Sequence, residues 1–168
     1  MASARRRADT DARVEGSGGP RRSDRWAVLY DADCGFCTWT LSLLLRWDRA
    51  ARLAPVALQR PGVADLLVEL TPAERMASWH LISPSGERRS GGDALPPLLR
   101  ALHGGRLPAA LFARFPRLCA RGYRWVADHR SGLSRWVPAP AKERAGRRVG
   151  ARERLCAAAR DEGAPTTG

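Results

Sequence analysis

The chain has 168 residues, 44% of them apolar, which is enough for one domain with a true core, while four cysteines (Cys34, Cys37, Cys119 and Cys156) are too few and too unevenly spaced for a secreted disulfide scaffold. The net charge is +12, but residues 1–23 and 138–168 each carry +3 and the stretch between them +6, almost all of it from arginine, a spread that resembles GC-rich coding and argues against a single polyanion-binding stripe. The first residues hold no apolar run of the roughly 7 to 15 residues a secretory leader needs, and no uncharged stretch approaches the roughly 18 that cross a bilayer, so a soluble cytoplasmic protein without a membrane span is expected.

Residues 1–23 are rich in Arg, Asp, Ser and Gly without apolar periodicity, and are expected to be disordered. Trp26 to Tyr30 (WAVLY) reads as a short buried strand. Phe36, Trp39, Leu43 and Trp47, with Thr40 and Leu44 beside them, recur at helical spacing, so a helix begins at the first cysteine pair. Arg52 to Gln59 is a second strand, against which Pro55 counts because proline removes a ladder donor. Pro61-Gly62 turns the chain into a helix over Val63 to Leu70. Ser78 to Ser83 is a third strand, Pro84-Ser85-Gly86 a hairpin turn, and Glu87 to Ser90 a polar edge strand. A helix over ALPPLLRALHGG follows, with Asp93 placed to cap it and Gly104 to end it. The order βαβαββα, with a parallel βαβ followed by an antiparallel hairpin and a closing helix, is a three-layer thioredoxin-like α/β fold. It is assigned to residues 24–137, of which 108–137 form a C-terminal extension of one or two amphipathic helices; 138–168 are expected to be a disordered or weakly helical basic tail.

The chemistry concentrates in Tyr30-Asp31-Ala32-Asp33-Cys34-Gly35-Phe36-Cys37, where a buried strand hands over to a helix. Unpaired N–H groups and the macrodipole at that helix start favour a thiolate on Cys34, lowering its pKa below that of a free thiol. Cys37, one turn further on, can attack a mixed disulfide formed by Cys34, so the first is the candidate nucleophile and the second the resolving thiol. Gly35 leaves room for a substrate chain. Carboxylates nearby oppose the helix terminus by raising a thiol's pKa. Asp31 is a candidate proton carrier for Cys37, the alternative being a turn residue; Asp33 is read as a helix cap.

This octapeptide resembles the signature of the DCC family, predicted thiol-disulfide oxidoreductases named for an Asp-Cys-x-x-Cys motif in a thioredoxin-like domain. Arg46-Trp47-Asp48, Pro55-Val56 with Gln59, Gly91-Gly92-Asp93-Ala94, and Tyr123 with His129-Arg130 support the likeness, which spans roughly residues 25–136. Ala32 departs from it, since the family usually has glycine there. The resemblance implies thiol-disulfide exchange, with Cys34 and Cys37 as the redox pair. Thioredoxins place a cis-proline directly before the strand that faces this motif; here Glu74-Arg75-Met76-Ala77 precede Ser78, so substrate capture is expected to differ and metal binding stays in play.

A zinc or iron-sulfur site is one competitor, with Cys119, Cys156, His80, His103 and His129 as the remaining ligand types and no second C-x-x-C among them. Cys119 reads as packed core with Phe115 and Leu118, Cys156 as an exposed bystander, and His80 as a satisfied or half-exposed strand residue and not a base. The other competitor is a basic module for nucleic acid or an anionic surface, built on Arg114, Arg117, Arg121 and Arg124 with Tyr123 and Trp125, for which the plainer reading is a solvated arginine face. The expectation is therefore an enzyme that needs no organic cofactor and no metal. Its partners would be a disulfide in a protein or small thiol and a separate reductant or oxidant, not nucleic acid.

Overall fold

The computed structural model describes residues 25–161, so the segment expected to be disordered at 1–23 lies outside the described residues. Branched and aromatic side chains make Trp26–Tyr30 the first strand, β1, and α1 (Gly35–Trp47) follows within four residues. The chain returns as β2 (Leu53–Ala57), parallel to β1, then crosses by a 3-10 turn (Ala64–Leu67) and α2 (Pro72–Ala77) to β3 (His80–Ile82) and β4 (Arg88–Ser90). The sheet order is β2-β1-β3-β4, with β3 antiparallel to both neighbours. A second 3-10 turn (Gly91–Ala94) leads into α3 (Leu95–Ala101), α4 (Arg106–Arg114), α5 (Pro116–Trp136) and α6 (Ala139–Asp161).

Period-two alternation sends the side chains of β1 to opposite faces. Val28 and Tyr30 join Leu41 and Leu45 of α1, Leu98 and Leu99 of α3, and Val149 of α6 in the larger core. Leu29 meets Val56, Val63 and Leu67 on the other side, under the first 3-10 turn. Three layers result, which is the thioredoxin-like α/β arrangement with a helical extension that the element order implied.

Pro55 fits because β2 is an edge strand. Trp26 donates to the Arg52 carbonyl and Leu58 to that of Tyr30, so even-numbered positions of β2 face β1 and odd-numbered ones face outward. Of the outward positions, Leu53 N–H donates to Asp48 Oδ2 at 2.8 Å, Pro55 has no donor, and Ala57 N–H donates to Glu153 Oε1 at 3.0 Å. The edge is thereby closed without a fifth strand.

Several expectations are corrected. The helix expected over Val63 to Leu70 is only the 3-10 turn, and the turn of helix at Pro72–Ala77, set by a Thr71/Glu74 capping box, went unforeseen. Asp93 lies inside a 3-10 turn and makes no capping bond. Phe115 and Leu118, expected beside Cys119 in the core, are exposed, although Cys119 itself is buried. The tail from residue 138, expected to be disordered or weakly helical, contains α6, a 23-residue helix packed on α1 and β2. Its buried stripe is narrow, Ala145, Val149 and Cys156, and Cys156 is thus no exposed bystander. Polar anchors supply the rest: Arg152 bonds Asp48 at 3.1 Å, and Glu153 takes the Ala57 N–H and stands near Tyr30, whose pKa is pushed up by burial first and by Glu153 after it.

Two glycines set where α5 lies. Gly91 has φ +58°, and a Cβ on Gly92 would come within 2.8 Å of the Ala120 Cα, so α5 docks backbone to backbone on the exit from β4. That approach carries Tyr123 and Arg130 toward the start of α1. No described helix is long and apolar enough to cross a membrane.

Candidate redox site

Cys34, not Asp33, is the N-cap of α1: its backbone is extended (φ −86°, ψ 101°) and its Sγ accepts the Cys37 N–H at 3.3 Å. The sulfur thus stands where a capping oxygen would, facing unpaired helix donors. Both cysteines are reduced; Cys34 is partly exposed and Cys37 buried. The Cys34 pKa is lowered from 9.0 to about 6, chiefly by the hydrogen bond from the Cys37 thiol, then by the Cys37 N–H and the Arg130 charge, against burial and the Asp31 carboxylate, which raise it. Cys37 is pushed far upward, first because its thiol proton is held by the Cys34 sulfur and then by burial and the Cys34 charge. The pair shares one proton, and Cys34 carries the anion.

Asp31 is buried at the end of β1. Its Oδ1 accepts from Gln59 Nε2 at 2.7 Å and from the Asp33 N–H at 3.1 Å, while Gln59 also reaches Asp33 Oδ2 at 3.2 Å and takes the Ala32 N–H through Oε1. Gln59 therefore ties the turn before the cysteines to the end of β2. The Asp31 charge is felt at Cys34. Gly35 has neighbours of the chain's own: a Cβ there would lie 3.2 Å from Lys142 Cδ and 3.5 Å from Ser134 Oγ, so the α5–α6 corner occupies the space expected for a substrate chain.

Arg130, Trp79 and Tyr123 also meet at this site, and none of them had a redox role assigned from the sequence. Arg130, from α5, lowers the pKa of both thiols, and its Nη1 donates to the Met76 carbonyl at 2.9 Å. The Trp79 side chain lies close enough to Cys37 to lower its pKa. Tyr123 accepts the Trp79 backbone N–H at 2.8 Å, and burial raises its pKa, which keeps the hydroxyl protonated. That N–H, in the segment before β3, is thus already bonded and not free for a substrate backbone. Tyr123 and Arg130 stood among the positions of the family likeness, which was the one signal that could have found them. Because Arg130 acts through charge, Arg130→Gln is expected to raise the Cys34 pKa by about one unit, whereas Arg130→Lys leaves it nearly unchanged. The pH dependence of iodoacetamide alkylation measures both.

The other candidates lie apart from this cluster. His80 is fully buried with Nδ1 on Ser90 Oγ (2.7 Å) and Nε2 on the Arg75 carbonyl (2.9 Å), and burial lowers its pKa. His129 is exposed, stacked on Trp125 at 4.6 Å, with Nδ1 on the Trp125 carbonyl. Tyr123 turns inward and so leaves the face that Arg117, Arg121 and Arg124 present to solvent. Among the described residues, no three His, Cys, Asp or Glu side chains are gathered as a metal site.

Between α1, α3, α4 and α5 lies a cavity of about 800 Å³ with an almost wholly apolar lining, to which Cys37, Leu44, Trp79, Leu95, Phe112 and Phe115 contribute and Cys34 does not. No curated protein and no solved structure matches the chain at a significant level. A family profile described as DCC1-like thiol-disulfide oxidoreductase matches residues 28–136, a span that runs from β1 through the cysteine pair and Tyr123 to the end of α5. With its Cys34–Cys37 pair at the strand-to-helix junction, the chain belongs to the DCC1-like thiol-disulfide oxidoreductase family.

Proposed function

We propose that this chain is a cytoplasmic enzyme exchanging a Cys34–Cys37 dithiol with a disulfide in a protein or small thiol, a separate reductant or oxidant resetting the pair. The observation that carries the reading is the Cys34 sulfur at the N-cap of α1, with a pKa near 6. The Cys34 thiolate attacks one substrate sulfur and expels the other as a thiolate. Cys37 then gives up its proton and attacks the Cys34 sulfur, releasing the second substrate thiol and closing the Cys34–Cys37 bond. Two electrons pass to the substrate, so no organic cofactor is needed. Asp31 is the proton carrier in the second step; its support is its burial beside the motif and its charge at Cys34. A stabilised thiolate favours the dithiol form, which makes the disulfide form the more oxidising partner.

The test is a thiol-trapping titration in glutathione buffers of defined potential. Wild type is expected to show one two-electron transition and Cys34→Ser none, while Cys37→Ser accumulates a mixed disulfide with glutathione. Asp31→Asn should slow resolution without slowing the first attack. A wild-type chain that never closes the internal disulfide would end this reading.

A further inference from the structure

A disulfide inside a polypeptide arrives with chain attached on both sides, and a site holds such a chain by pairing with backbone N–H and C=O groups that are free. The segment before β3 is the backbone that stands beside the cysteine pair. Its Trp79 lowers the Cys37 pKa from close by, and its Met76 carbonyl is bonded by Arg130, whose charge is felt at both thiols. That backbone is already engaged. The Arg75 carbonyl is bonded by His80 Nε2 at 2.9 Å and the Met76 carbonyl by Arg130 Nη1 at 2.9 Å. The Trp79 N–H donates to the Tyr123 hydroxyl at 2.8 Å, and the Trp79 carbonyl takes the Gly91 N–H at 3.0 Å. Both polar groups of the Trp79 backbone are thus used inside the molecule.

The motif itself is covered as well. Gly35, next to the nucleophile in the chain, lies under the α5–α6 corner: a Cβ there would come within 3.2 Å of Lys142 Cδ, 3.4 Å of Lys142 Cε and 3.5 Å of Ser134 Oγ. The corner is held in place. Val137 is buried at the bend, Ala145 and Val149 are buried further along α6, and Arg152 and Glu153 bond Asp48 and the Ala57 N–H. Lys142 also lies beyond residues 28–136, the span matched by the family profile. Cys34 nevertheless stays partly exposed, so a reactant without a flanking chain can reach its sulfur.

We propose, resting on the oxidoreductase reading, that the Cys34 site takes small disulfides and excludes disulfides embedded in a polypeptide, with Lys142 as the residue that sets this specificity. A polypeptide meets the Lys142 stem over Gly35 and finds no backbone partner at Trp79, whereas a small disulfide needs neither the space nor the partner. Exchange proceeds as above. The Cys34 thiolate bonds to one sulfur of the small disulfide, and the other sulfur leaves as a thiolate and takes a proton. Cys37 then closes the Cys34–Cys37 bond and releases the second thiol. A dithiol reductant restores the pair and is itself oxidised to a disulfide, so two electrons pass from reductant to substrate in each cycle.

The experiment compares kcat/KM for hydroxyethyl disulfide and for insulin, whose disulfides lie within polypeptide, with dithiothreitol as the recycling dithiol. Each value is divided by the rate of the same disulfide with dithiothreitol alone. The wild-type chain is expected to favour the small disulfide by about a hundredfold. Lys142→Ala should narrow that gap about tenfold by raising the insulin rate, and Lys142→Met, which keeps a long stem without the charge, should leave it unchanged. Among the described residues Lys142 has no carboxylate partner, so both variants keep the ion pairs of α6, and alanine is the better helix former. The midpoint of Cys34 alkylation by iodoacetamide should be the same in all three proteins. Reduction of insulin by wild type as readily as of the small disulfide overturns the proposal and leaves the oxidoreductase reading intact. So does an unaltered gap in Lys142→Ala, an equal gain in Lys142→Met, or a gain that comes with a shifted midpoint, which would make Lys142 an electrostatic and not a steric residue. Reduction of neither disulfide above the dithiothreitol rate overturns the oxidoreductase reading itself.

Discussion

Iodoacetamide alkylation of Cys34 is expected to rise through a midpoint near pH 6, where an unperturbed thiol would titrate near 9.0, and Cys34→Ser is expected to abolish disulfide turnover by about a thousandfold or more. The rate at neutral pH will look less dramatic than the midpoint, because a stabilised thiolate is also a weaker nucleophile. The titration curve is therefore the informative measurement. Cys37 should remain unmodified across the same range, its proton being held by the neighbouring sulfur. Stability follows with a definite sign. The folded-state pKa of Cys34 lies below that of the unfolded thiol, so the reduced protein gains stability as pH rises from about 6 toward 9.0 and loses that gain as pH falls through 6. In Cys34→Ser this part of the pH dependence should vanish. A wild-type midpoint above 8 would contradict the N-cap account of the site.

The largest expected loss of stability comes from Asp48→Ala. The Asp48 side chain is fully buried, its Oδ1 accepts the Arg52 N–H at 2.9 Å, and its Oδ2 accepts the Leu53 N–H at 2.8 Å and the Arg152 guanidinium at 3.1 Å. One carboxylate thus ends α1, starts β2 and anchors α6. Its removal leaves two backbone donors and a mostly buried cation without a partner, which costs about 3–5 kcal/mol. For a chain of this size that corresponds to roughly 10 °C in Tm by calorimetry or circular dichroism. Arg152→Met should cost clearly less, because both N–H groups keep their acceptor. Equal losses for the two variants would show that the ion pair, and not the backbone bonds, does the anchoring.

The sequence made β1, the cysteine motif at its end and the βαβ order readable because each depends on neighbours a few positions away: WAVLY is a continuous apolar run, and C-x-x-C follows it directly. The tasks of Arg130 and Trp79 were not readable, since they depend on α5 descending onto Gly92 and on β3 returning beside β1. The α6 helix was missed for a different reason. An apolar stripe of only Ala145, Val149 and Cys156 is too thin for a periodicity argument, and the bonds that hold the helix pair Arg152 and Glu153 with residues about a hundred positions earlier. Phe115 and Leu118 misled in the opposite sense: helical spacing beside Cys119 suggested burial, whereas both border an open cavity.

The close seating of Lys142 and Ser134 on Gly35 bears on how the redox balance of this protein could be tuned. In a C-x-x-C motif, exchanging the two intervening residues is the direct route to a new potential, and in an open motif only water is displaced. Here any bulk added at the first of those positions presses on the corner between the last two helices, so the chemistry of the sulfurs and the attachment of the C-terminus would have to change together.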